Sequence, residues 1–136
     1  MQSRPIRILL LLLLILLLGG CQTIQERKSV ISLENTLDAY GKVARWGQIA
    51  QLYEFLSPEL ASSTTLPEGL DNVRVTGYEV LKAPVKIDET HAVQTVSISY
   101  ILRDRQVQHS LLDRQEWVMD PEKKLWYRSN PIPLFE

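Results

Sequence analysis

Three kinds of side chain in this sequence could do chemistry: one thiol, two imidazoles and one carboxylate set among apolar neighbours. The thiol is Cys21, the only cysteine. Its thiolate would be a good nucleophile, and it can form no disulfide within the chain. His91 and His109 are the only histidines. Neither stands beside a second ligand at metal spacing, so no metal site is expected. The carboxylate is Asp113, which alternates with Leu111, Gln115 and Trp117 in "VQHSLLDRQEWVM". Alternation puts these residues on one face of a strand, and a carboxylate in such surroundings is a candidate general base. An ion pair accounts for it more simply. Arg114 follows it, and the basic run Arg103-Asp104-Arg105 is expected to lie opposite in a hairpin. No catalytic residue and no cofactor are therefore expected.

The elements that carry these groups begin with an export signal. Arg4 and Arg7 precede an apolar run, Ile8 to Leu18, made only of leucine and isoleucine. A membrane-spanning helix needs about 20 apolar residues, so this run is too short. A basic start, a short apolar core and small residues before a cut site describe a removable leader, assigned to residues 1–20. Its loss changes the formal charge from −1 to −3, with 13 basic against 16 acidic residues. That balance excludes a nucleic-acid binder with a basic face. The mature stretch, residues 21–136, is the usual size of one domain.

The segment Leu18-Gly19-Gly20-Cys21 resembles the lipobox of bacterial lipoproteins. The resemblance implies that a diacylglyceryl group is joined to the Cys21 sulfur, that the signal is cut between Gly20 and Cys21, and that the new amino terminus is then acylated (palmitate is a typical chain). A single acyl chain anchors only marginally, whereas several hold a protein stably on a membrane. Gln22 stands where inner-membrane retention in this family usually has aspartate. This implies the outer membrane of a Gram-negative cell, with the domain facing the periplasm.

Residues 21–29, largely polar, read as a tether between lipid and domain. Leu33, Leu37, Tyr40 and Ala44 then recur at helical spacing, with Ser32 placed to cap them. Gly41 and Trp46-Gly47 interrupt the pattern, and Ile49, Leu52, Tyr53 and Leu56 form a second short face. The expectation is two helices, 29–45 and 47–56, stopped at Ser57-Pro58. A loop follows over Ser62–Asn72. Four runs rich in Val, Ile, Thr, Tyr and Trp come next. In the second, Val96, Ile98, Tyr100 and Leu102 alternate with Thr95, Ser97, Ser99 and Ile101. Asp104-Arg105-Gln106 and Asp120-Pro121-Glu122-Lys123 are the expected turns. Helices followed by a strand meander give an α+β domain. Trp46, Trp117, Trp126, Tyr127 and Phe135 are expected mostly in its core. The tail "NPIPLFE" has two prolines that forbid a ladder, yet it is too apolar for an idle terminus. It is expected to pack back on the domain, the alternative being to dock in a partner.

The helices ending in "LYEFLSPEL", followed by long strands and the "RQEWVMDPEKKLWY" hairpin, resemble the NTF2-like superfamily over residues 30–130, with 131–136 an extended tail. The resemblance implies two N-terminal helices packed on a curved antiparallel four-stranded sheet, a cone. An isomerase of this superfamily would need an aspartate base and a hydrogen-bond donor in the cone. Asp113 would be that base, with Tyr40 or Tyr100 as donor. Tyr40, Tyr100, Asp113, Trp117 and Phe135 are thus the residues expected to meet a ligand or partner. The fold hosts enzymes, ligand pockets and scaffolds alike. A non-catalytic binding or scaffold module at the membrane is expected, with an envelope protein or a small apolar ligand as partner. The alternative is an NTF2-like enzyme or apolar-ligand carrier.

Overall fold

A computed structural model describes residues 20–136, with side chains from Ile24 onward. Residues 1–19, which hold Leu18, Gly19 and nearly all of the signal, lie outside the described residues, as does the side chain of Cys21. The chain divides into two units, Met1–Ile31 and Ser32–Glu136. The described part of the first is wholly helical.

Helix α1 runs over Gly20–Trp46. Residues 21–29 are therefore helical backbone and not extended chain, and Ser32 lies inside the helix instead of capping it. Between Gln22 and Ser29 there is no proline or glycine, and Gln, Glu, Arg and Lys are all good helix formers. Nothing in that stretch stops α1 short of the amphipathic part. Gly41 does not interrupt the helix either. A Cβ there would lie 3.0 Å from a Tyr78 ring carbon, so glycine lets the ring approach the helix backbone. Leu33, Leu37, Tyr40 and Ala44 are all buried, as their spacing predicts.

The second expected helix is a 3₁₀ helix, Ile49–Phe55. With three residues per turn, Ile49 and Leu52 fall on one side, and both are buried. Ser57 then caps a short helix α2, Pro58–Ser63, with proline in its first turn. The expected loop thus shrinks, and it closes in a second 3₁₀ turn, Leu70–Asn72, after Gly69 at φ 77°.

The strands are β1 (Val73–Lys86), β2 (His91–Leu102), β3 (Gln108–Met119) and β4 (Trp126–Arg128). They form one open antiparallel sheet in the order β1-β2-β3-β4, so the domain is α+β. The two expected turns, at 104–106 and 120–123, fall between β2 and β3 and between β3 and β4. Asp120 accepts from the backbone N–H groups of Glu122 and Lys123. Asp88 accepts from those of Thr90 and His91, which, together with the His91 ring, pull its pKa down to about 2. β1 pairs with β2 through three register irregularities. These bend its exposed edge, and Lys82 and Pro84 further discourage added strands. On the covered face, Ala92, Gln94, Val96, Ile98 and Tyr100 alternate inward from β2. The tail packs back as expected: Ile132 is buried and the Phe135 ring meets that of Tyr100 at 5.1 Å. Among the described residues no helix is long and apolar enough to cross a membrane.

Candidate functional site

The residues expected to meet a ligand fall into two groups. Tyr40, Asp113 and Trp117 come together beneath α1, with the Tyr40 and Trp117 rings edge to face at 5.3 Å. Tyr100 and Phe135 lie elsewhere, in the corner made by the tail. There the Tyr100 hydroxyl donates to the Glu136 carbonyl at 2.8 Å, and its ring stacks on His109. His91 sits at the β1–β2 turn with its Nδ1 2.9 Å from the Asp88 carboxylate. Among the described residues no group of three or more His, Cys, Asp or Glu side chains could hold a metal.

Asp113 is ion-paired, but not to the basic run expected opposite it. Its partner position across the ladder is Val96 in β2, and its counter-ion is Arg128 of β4. Arg128 Nη2 donates to Asp113 Oδ1 at 2.6 Å and Nη1 donates to Oδ2 at 2.8 Å. The remaining guanidinium donors reach the Tyr40 hydroxyl and the carbonyls of Asn130 and Pro131. All three groups of this fork are therefore engaged, and Arg128 is fully buried. Burial opposes its charge, but the hydrogen bonds and charge of Asp113 outweigh that and raise its pKa. On the other side, Gln115 Nε2 donates to Asp113 Oδ2 and to the Tyr78 hydroxyl, and Gln94 donates to Gln115 Oε1. Trp117 Nε1 is the one buried side-chain polar atom among the described residues without a partner. The network is closed at Asp113: both carboxylate oxygens are occupied, as is the donor face of Arg128.

The open site lies at the outer end of the same network. Between α1 and β1 a groove of about 540 Å³ is lined by Leu37, Gly41, Arg45, Trp46, Tyr78 and Val80, with Gln94 at its buried end. Its size is that of a small-molecule site. Burial is the main cause that pushes the Tyr78 hydroxyl, which accepts from Gln115, up to about 12. Lys42 at the rim is neutralised by Asp38, 2.6 Å away. Arg45 is different. Its Nη1 donates to the Val75 carbonyl at 3.0 Å, its guanidinium lies 4.1 Å from the Trp46 ring, and among the described residues no carboxylate pairs with it. Trp46, expected in the core, is 76 % exposed here. It stands at the last position of α1, beyond the buried stripe that ends at Ala44.

No protein-family model matches this chain, and no curated protein is significantly similar to it.

Sequence reasoning missed Arg128, Gln94, Gln115 and Tyr78. A signal for Arg128 was present: Trp126 and Arg128 share one face of β4. If the tryptophan turns inward so does the arginine, and an inward arginine requires a carboxylate.

Proposed function

We propose that the chain is a lipid-anchored protein of the bacterial cell envelope, held by acylated Cys21 in the outer membrane and facing the periplasm. Its domain, an NTF2-like cone of two N-terminal helices on a curved sheet, works as a binding or scaffold module without catalysis. The observation that carries the non-catalytic part is the closure of Asp113. A general base must be free to reach a substrate proton. Asp113 instead accepts three hydrogen bonds, two of them from a buried arginine. The binding part is supported by the α1–β1 groove, which stays open beside that closed network. The anchor is supported by Leu18-Gly19-Gly20-Cys21 behind a short apolar run.

The test is intact-mass spectrometry of the full-length gene product from fractionated envelopes of a Gram-negative host. The expected species starts at Cys21, carries three acyl chains and sediments with the outer membrane. A chain still starting at Met1, or cut at a residue other than Cys21, would contradict the anchor.

A further inference from the structure

We propose that the α1–β1 groove binds a medium-chain aliphatic carboxylate, with its head on Arg45 and its chain against Leu37, Tyr78 and Val80. The proposal rests on the binding-module function and names the ligand class for it. Shape is the first reason. The α1 residues that line the groove, from Glu34 to Arg45, recur at one-face spacing over three turns. That is a length of about 16 Å at the helical rise. The groove therefore runs along the helix, the direction in which an extended chain would lie.

Charge is the second reason. β1 runs antiparallel to α1 here: Val75 lies beside Arg45 and Tyr78 against Gly41. Ala83 and Pro84 therefore fall toward the Glu34 end. Arg45 is half-buried, fixed by the Val75 carbonyl and the Trp46 ring, and has spare N–H donors without a counter-ion among the described residues. A guanidinium held this way suits a carboxylate, which it can bind through two parallel hydrogen bonds. Lys42 offers less, because Asp38 already neutralises it. Glu34 at the far end repels a second anion, which leaves one orientation for a monoanion. Between Glu34 and Arg45 the Asp38–Lys42 pair and Gln94 are the polar parts of a lining that is otherwise apolar, and Val80 and Trp46 are 48 % and 76 % exposed, area that an aliphatic chain would cover.

The experiment uses envelopes containing the full chain and a dodecanoate probe with a diazirine near its chain end. Photolabelled residues are mapped by peptide mass spectrometry. Labelling is expected on the α1 and β1 segments that hold Leu37, Ala83 and Pro84. Decanoate should compete about tenfold better than decanol, the scale of one charge-assisted contact, and decylammonium should compete least. Arg45→Met should lower labelling about tenfold and Arg45→Lys should restore most of it. Ala83→Trp, at an exposed strand position away from the closed network, should abolish labelling by filling the groove. Equal competition by decanol and decanoate, or no loss in Arg45→Met, would overturn the proposal. Better competition by decylammonium would overturn the ligand's charge while leaving a binding groove. No labelling of these segments by any probe would overturn the ligand and the groove as its site, while the anchored scaffold module stands or falls on the intact-mass test.

Discussion

Two arginines of this domain lie close to aromatic rings, and their surroundings differ in every other respect. Arg128 has its guanidinium 5.5 Å from the Tyr40 ring and Arg45 has its own 4.1 Å from that of Trp46. Arg128 is wholly buried, is matched by a bidentate carboxylate and spends its other donors on Tyr40 and two tail carbonyls. Arg45 is half-buried, holds one carbonyl and faces a groove. A buried ion pair is costly to break because the survivor is left charged without solvent. A half-buried cation with unused donors can take a partner at little cost to the fold. Arg128 thus serves the fold and ties the tail to it, while Arg45 is left for a ligand.

The comparison is broken most directly at Arg128. Arg128→Met should destabilise the domain by about 3–5 kcal/mol, the range for removing one partner of a buried pair. Asp113→Leu combined with Arg128→Met should recover part of that loss, and urea unfolding measures both. Trp117→Ala should cost about 3–5 kcal/mol, since its indole is 1 % exposed against Tyr40. A loss below about 1 kcal/mol would show that its neighbours collapse around the gap.

High pH gives the next effect. Burial raises the pKa of Tyr78 to about 12 and also raises that of Tyr40. The folded state therefore holds these protons more tightly than the unfolded chain. Stability is fully present below pH 10 and is lost as pH rises from there through 12. Tyr78 alone should account for roughly 2 kcal/mol of that loss. Unfolding midpoints measured from pH 9 to 12 would check it, and a midpoint that stays flat would place both hydroxyls in water. The smallest changes belong to the groove. Trp46→Ala should shift stability by less than about 0.5 kcal/mol, and Arg45→Met by about 1 kcal/mol for the lost bond to Val75.

The strands were legible in the sequence because a two-residue period and Asp-rich turns are local signals. β2 from His91 and β3 to Met119 follow them closely. The helical half was less legible. Ile49–Phe55 is a 3₁₀ helix that buries Ile49 and Leu52, and a three-residue spacing of apolar residues does not distinguish it from an α-helical turn. Asp113 was recognised as paired, yet its partner stands fifteen residues along the chain in a three-residue strand, where a long-range register decides the contact. The groove was invisible because its walls are ordinary surface residues. Lys42, Arg45 and Ala83 carry no motif, and only the antiparallel run of β1 beside α1 brings them together.

The central claim is that the buried pair holds the fold while the groove holds the ligand. The most direct test is dodecanoate photolabelling of the groove in the Asp113→Leu, Arg128→Met double variant, read beside its urea midpoint. If the pair is structural, a variant that remains folded should be labelled within about twofold of the natural chain. A folded double variant that loses labelling tenfold or more would show that Asp113 and Arg128 belong to the binding site, and would contradict the division between the two arginines.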